Sequence, residues 1–282
     1  MAISNFIPTV WSESLLHSLQ RKYIGVANSN RDYEGDIKEM GSVVKVCGVG
    51  SISISNYTKN SNMLSPETLT DMSRELRIDQ AKCFNFQIDD VDQAQAVPGL
   101  MELAMSNAAS ALANTADQYV YSLYTSAGRT VVNENMSAEN VLDTLLEART
   151  LLYKQNATDP DDIVFELSPE VGALVLKAKI LNATDNDEAL NNGCIGTVGG
   201  VRVCISNNIY SSDEEDGQHF YCLARTRRAI AFAEQLSEVD AYRPELRFAD
   251  AVKGLHLYGA KVFYPQELIL MDFVKPEEEE DD

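Results

Sequence analysis

Residues 43–54 read VVKVCGVGSISI, residues 57–71 read YTKNSNMLSPETLTD, and residues 76–88 read LRIDQAKCFNFQI. In the first run Val44, Val46, Ile52 and Ile54 alternate with polar or small residues, which is the period of a half-buried strand. The return run, residues 74–90, carries Leu76, Ile78, Phe84, Phe86 and Ile88 at even spacing. Phe84, Phe86 and Ile88 therefore share one face, and that face needs an apolar partner. The stretch between the runs is polar. Together they predict one long β-hairpin with a wide, hydrated tip, the centre of a segment running from Asn30 to Gln95. An arm with so little to bury at its tip is expected to be covered by something else. Gly48 and Gly50 interrupt the first strand and predict a bulge or bend. They do not start a dinucleotide fingerprint, because position 53 is Ser53 and no helix follows.

Before the hairpin, residues 6–28 form an arm. Pro8 precedes a helical run with a partial apolar stripe, and Trp11, the only tryptophan, stands near its start. A tryptophan near a terminus docks onto a partner or back onto the core. His17 reads as a surface histidine. After the hairpin come Asp89, Asp90 and Asp92. Three carboxylates could offer hard oxygen ligands to a metal, but the rest of an EF-hand loop is missing and acids before a helix suit its dipole. We read them as structural. Pro98–Ser126 predicts a long helix, rich in alanine, with apolar residues including Leu100, Leu103, Ala108, Leu112 and Val120 near one stripe. At 1.5 Å per residue it would be ~42 Å long, a strut.

The rest alternates helix and strand. Ser137 caps a helix over 138–155, Ile163–Leu167 is a buried strand, and Ser168-Pro169-Glu170 starts another helix. Residues 182–200 read as a polar loop, 201–205 as a strand and 211–217 as an exposed acidic loop. Residues 219–224, 229–233 and 254–265 read as strands, with His256 on the polar face of the last. Helix and strand are intermixed here in a compact α/β unit.

The chain has 282 residues, 23 Lys and Arg against 43 Asp and Glu, and a net charge of −20. So acidic a chain is repelled by nucleic-acid phosphates unless its cations cluster. The basic run Arg225-Thr226-Arg227-Arg228 is expected at a solvated edge or in intersubunit salt bridges. Five cysteines without a CxxC predict neither a disulfide framework nor a zinc site. Cys47 and Cys83 could face each other across the hairpin, but buried thiols in a reducing cytoplasm are expected. No signal peptide and no run of ~18 apolar residues is present, so the chain is read as soluble. Residues 277–282 are six consecutive acids, expected to be disordered.

No nucleophile elbow, P-loop, HExxH or deaminase motif occurs, and the three histidines, His17, His219 and His256, have no partner at ligand spacing. The order of parts nevertheless resembles the major capsid protein of tailed bacteriophages, the Hong Kong 97-like fold. Local phrases carry the resemblance in order: FIPTVWSESLL, NRDYEGDIKEMGSVVKV, YTKN, IDQAKCFNFQIDDVDQAQA and YRPELRFADAVKGLHLYGAKVFYPQ.

That resemblance implies an α+β fold with an N-terminal arm (1–40), an extension-loop hairpin (41–92), and a spine helix with peripheral domain (93–134). It further implies an inserted axial α/β domain (135–245), peripheral return strands (246–275) and an acidic tail (276–282). It implies pentamers and hexamers of this chain around double-stranded DNA, assembled in a bacterial cytoplasm, with a portal. Because the arm starts almost at Met1, a separate scaffolding protein, or none, is expected. Trp11, Tyr57, Lys59, Asn60, Phe84 and Phe86 are the expected intersubunit contacts. Lys–Asn cross-links found in some relatives are not carried over to Lys59 and Asn60. No catalytic residue, cofactor or metal is implied. The alternatives are an encapsulin shell of the same fold and a cytoplasmic enzyme whose site no motif marks.

Overall fold

The computed structural model describes residues 22–32, 43–49, 71–89, 100–157, 161–178, 193–215, 217–246 and 248–276, with residues 15, 19, 41, 56, 59, 182 and 183. The described strands fall into three sheets. β1 (Val43–Val49) and β2 (Asp71–Arg77) pair antiparallel as a sheet of their own, Val43 opposite Arg77 and Val49 opposite Asp71. β3 (Gln80–Asp89), β12 (Ala249–Val262) and β11 (Ile230–Tyr242) form an antiparallel three-stranded sheet with β12 in the middle.

The third sheet has eight strands. Its path runs β4 (Arg129–Asn133), β13 (Leu268–Lys275), β10 (Gly217–Thr226), β5 (Ile163–Leu167), β8 (Val201–Ile205), β7 (Cys194–Val198) and β6 (Asn182–Ala183). β9 (Ser211–Glu214) pairs with β10 off that path. The helices are α1 (Leu100–Tyr121), α2 (Val141–Tyr153) and α3 (Pro169–Lys177). This is the expected α+β class, with sheets dominating.

Several expectations change. The run 74–90 is two strands in two sheets, broken at Ile78-Asp79. Ile78 is fully buried beneath the hairpin, whereas Asp79 is exposed and accepts a hydrogen bond from Tyr119 at 3.0 Å. The period of two continues across the break, so alternation alone could not reveal it. β11 joins the three-stranded sheet, and β13 lies in the eight-stranded one between β4 and β10. β1 keeps regular register through Gly48 and Val49, so no bulge occurs up to there; Gly50 is outside the described residues. Two strands, β6 and β7, occupy parts of the expected loop 182–200, and β9 occupies part of the expected loop 211–217.

α1 buries Met105, Ala109, Leu112, Ala113, Ala116 and Val120, which fall along one stripe of the helix. Its alanines let it lie close on β12 and β3. Leu103 is 60% exposed and stands off that stripe. The helix ends earlier than expected, passing into a 3-10 turn over Ser122–Ser126. α2 turns Val141, Leu145, Ala148 and Leu152 onto β4, β10 and β13. At α3 the Ser168 side chain accepts from the Val171 amide, with Pro169 at the first helical position, as the sequence indicates.

The cysteines differ from expectation. Cys194 and Cys204 stand opposite each other on β7 and β8 and are joined by a disulfide. The turn between these strands is Gly199-Gly200, both at positive φ, a two-residue hairpin connection. Ten residues apart across a tight turn is a cross-strand spacing, which a search for CxxC does not detect. Cys47 faces Ser73 rather than Cys83; Cys83 is an exposed thiol and Cys222 a buried one, with burial pushing the Cys222 thiol up to about 12.

Residues 22–32 connect the two larger sheets. The Asp117 carboxylate on α1 accepts from the amides of Ile24 and Val26, each at 2.9 Å. Arg225 on β10, fully buried, donates from Nε and Nη2 to Glu166 on β5 at 2.7 and 2.9 Å. It also donates to the carbonyls of Asn28 and Gly25 at 2.8 and 2.7 Å. On the other side Asn30 bridges to Ala231, and Glu234 on β11 receives Tyr23, Arg31 and His256. Two corrections follow. Arg225 is neither on an edge nor between subunits, because Glu166 and two carbonyls satisfy its fork inside the core. His256 is buried on the covered face of its strand, where Glu234 supplies the polar partner at 2.8 Å.

Candidate assembly surfaces

Among the described residues, the hairpin's apolar contacts with the body lie at its base. Val44, Leu76 and Ile78 are buried against Ala231, Ala233, Leu257 and Phe263, on the face of β11 and β12 turned away from α1. The crossing is so close that a side chain at Gly259 would overlap the carbonyl oxygen of Arg77 and lie 3.1 Å from Ile78 Cα. Lys261 Nζ donates to the Glu75 carbonyl at 2.9 Å. Arg74 donates to the Phe263 carbonyl and lies 4.4 Å from the Tyr264 ring centroid. Toward solvent, Val43 and Arg77 are exposed at the base, and Lys59 is exposed in a turn. Tyr57, Asn60 and Trp11 lie outside the described residues.

Phe84 and Phe86 are half-buried. Their rings stack with centroids 6.0 Å apart, and both pack against the main core. Gly254 stands opposite Phe84 in register, and any Cβ there would overlap its ring. Beside this pair opens a cleft of about 290 Å³ lined by Cys83, Phe84, Asn85, Asp240, Lys253, Gly254 and Leu255. Lys253 meets Asp240 at 3.4 Å and lies 5.7 Å from the Tyr242 ring, and the Tyr242 hydroxyl donates to Asn85 at 3.1 Å. Pairs this exposed are worth at most ~1 kcal/mol.

A third surface is one the sequence reading did not single out. Between β11 and β12 the tip carries Leu246 at 97% exposure and Phe248 at 84%. Arg243 and Asp250 close its neck at 3.2 Å. Two large apolar side chains thus stand uncovered on one tip. The signal lay in the phrase RPELRF, where apolar residues stand in a turn that has nothing of its own to cover them.

Asp89 is exposed at the end of β3, while Asp90 and Asp92 are outside the described residues. Among the described residues no three His, Cys, Asp or Glu side chains converge as metal ligands. His219 contacts Asp272 at 2.9 Å and stacks near Tyr221, which itself stacks with Tyr124 and Tyr210. Burial, with bonding to Glu214, moves the Tyr221 phenol up to about 12, away from any proton transfer near neutrality. Burial raises Asp117 to about 7, yet both its oxygens are committed to the 22–32 segment. No described helix is long and apolar enough to cross a membrane.

Comparison with known proteins gives a consistent picture. A family model described as phage capsid protein matches residues 74–270. No curated protein sequence matches. Among solved structures, a chain from Mycobacterium phage Che8 is similar, with TM-score 0.67 and 26% identity over 88% of this chain and 90% of that one. The capsid of Ralstonia phage GP4 gives TM-score 0.69 and 11% identity over 90% and 89%. An encapsulin complex from Synechococcus elongatus gives 0.57 and 12% over 84% and 83%. The last two likenesses concern the fold alone.

Proposed function

This chain belongs to the phage capsid protein family, and from that premise we propose how it builds its shell. It is a major capsid protein with the Hong Kong 97-like fold, a structural component of an icosahedral virion capsid. In our reading each copy lays its β1–β2 hairpin across a neighbouring copy, and the shell is made of pentamers and hexamers around double-stranded DNA. The observation that carries this is the pairing of β1 and β2 as a separate two-stranded sheet, whose buried apolar contacts with its own subunit, among the described residues, lie at its base. A two-stranded hairpin alone is marginal in water, so its outer part gains stability from whatever covers it. Another copy of the chain is the occupant common to every subunit.

The tip with Leu246 and Phe248 serves the same purpose: its apolar surface is buried between copies. Trp11, Tyr57, Lys59, Asn60, Phe84 and Phe86 are proposed as further contacts. The net charge of −20 suits a container wall that does not adhere to packaged DNA. Assembly in the host bacterial cytoplasm, with a portal and a separate scaffolding protein, completes the reading, and no catalytic role is proposed. The encapsulin likeness stops at the fold, whereas the phage family model matches the sequence itself.

The test is to express the chain and follow it by size-exclusion chromatography and negative-stain microscopy. Shells or five- and sixfold capsomers are expected; a monomer at all concentrations overturns the proposal. Deleting residues 58–70 should leave a folded subunit that makes no shells. Normal particles from that deletion would remove the hairpin's assigned role.

A further inference from the structure

We propose that Arg74 sets the direction in which the hairpin leaves the subunit, and through it the uniformity of the shell. The inference rests on the assembly reading above and adds a positioning residue to it. β2 passes into β3 through only Ile78 and Asp79, yet the two strands belong to different sheets. A two-residue link between sheets leaves the hairpin free to swing unless something beyond the link holds it. The buried contacts at the base, Val44, Leu76 and Ile78, lie at or close to the link itself. Apolar contacts are non-directional, so they resist lifting more than rotation.

Arg74 acts further out. It is four residues before Ile78, so it sits roughly 13 Å along the strand from the link. Its guanidinium donates to the Phe263 carbonyl and lies 4.4 Å from the Tyr264 ring centroid and 6.0 Å from that of Phe263. A planar group that both stacks and donates constrains angle as well as distance, which a lysine ammonium does not.

The anchor is itself held. Tyr264 also has the Arg228 guanidinium 5.5 Å from its ring centroid. Arg228 is fixed by Glu267 through two bonds of 2.6 and 2.7 Å, and buried Glu267 also accepts from Thr226 at 2.7 Å. Phe263 and Tyr264 donate their amides to the Ala229 carbonyl at 2.8 and 3.2 Å. This corner is where β10 passes into β11 and β12 passes into β13, between the two larger sheets. Arg74 therefore references the hairpin to the junction of the subunit rather than to a mobile edge. A small rotation at the link is multiplied along the arm, so a loosened clamp spreads the positions at which the arm meets its neighbour.

The experiment compares the full-length chain with Arg74→Ala, Arg74→Lys and Tyr264→Leu. The readouts are the unfolding midpoint, amide exchange in 43–49 and 71–77, and the particle diameter distribution by electron microscopy. With wild-type shells of one diameter as reference, Arg74→Ala should unfold within a few degrees of wild type. It should exchange hairpin amides about tenfold faster and give mixed diameters or free capsomers. Arg74→Lys restores the bond but not the stack, and should recover uniformity only in part; Tyr264→Leu should match it. If Arg74→Ala does not fold, the other two variants decide. Uniform wild-type shells and unchanged hairpin exchange in the folded variants would overturn the inference. Failure of the wild-type chain itself to form shells would instead overturn the assembly reading.

Discussion

The segment 22–32 and the β1–β2 hairpin are both strands of chain laid against the body of the subunit, and they are attached in opposite ways. The first is locked from inside. Glu166, Arg225 and Asp117 hold it to the eight-stranded sheet and α1, and Glu234 holds it to the three-stranded sheet. Every one of these groups is buried. Among the described residues the hairpin has a small apolar base, one close backbone crossing and two side-chain clamps, Arg74 on the Phe263 carbonyl and Lys261 on the Glu75 carbonyl. A buried charge network is costly to form and costlier to break in part, so it belongs where geometry must not change. A lightly attached arm belongs where geometry is completed by a partner. The contrast separates the part of the subunit that is a rigid body from the part that reaches.

Breaking the lock should have the largest effect on the subunit. Arg225→Met leaves Glu166 buried without its counter-charge and frees two carbonyls, so we expect a loss of ~3–5 kcal/mol by urea unfolding. A loss below about 1 kcal/mol would mean the network is not what ties residues 22–32 to the sheet. At the hairpin, Gly259→Val forces a side chain into the Arg77 backbone. Relief requires the arm to lift, with an expected cost of about 1–3 kcal/mol and loss of shell formation. If shells form normally, the crossing is looser than the geometry requires.

Phe86→Ala probes the ground between the two regions. A fully buried phenylalanine costs roughly 3–5 kcal/mol on truncation, but Phe86 is half-buried in the subunit. We expect about 2 kcal/mol in the isolated subunit and a larger drop in particle stability if a neighbour covers the ring. Equal losses in both would show that no neighbour does.

The smallest effect is a pH slope. Burial raises Asp117 from 3.8 to about 7. A carboxyl raised on folding favours the folded state fully below its unfolded value, and that contribution is lost as pH rises from about 4 through about 7. Asp117→Asn should lower stability at pH 5, where it forfeits an acceptor for one of the two amides. That deficit should shrink by pH 8, because the wild type then holds a buried charge. Unfolding midpoints of both proteins across this range check the sign; a constant difference would show that Asp117 does not titrate there.

The helix at α1, the cap at Ser168, the buried strand β5 and the existence of the hairpin could all be read from spacing and local chemistry. So could the family resemblance, through phrases kept in order, and with it the α+β class. Each depends on contacts near in sequence or on a period the backbone imposes. The chain did not announce where β2 ends and β3 begins, since alternation continues unbroken through Ile78-Asp79. Nor did it reveal that Arg225 and His256 are interior, because a charged residue can be buried once a partner far along the chain satisfies it, and Glu166 and Glu234 stand 59 and 22 residues away. The candidate contacts were legible only in part. Phe84 and Phe86 stood out by their spacing, while Leu246 and Phe248 carried only the weaker sign of apolar residues among the charged and turn-forming ones of RPELRF, and the fold decided that nothing in the subunit covers them.

What the sequence alone determined is local: which stretches are strand or helix, and that one hairpin has a polar connecting stretch. Tertiary structure decided the rest, namely which sheet each strand joins, which charges are locked inside and which apolar side chains remain outside. The physical reason is that burial belongs to the packed whole. A residue's own chemistry states what surroundings it needs, and only the folded chain settles whether the subunit supplies them or leaves them to a neighbour.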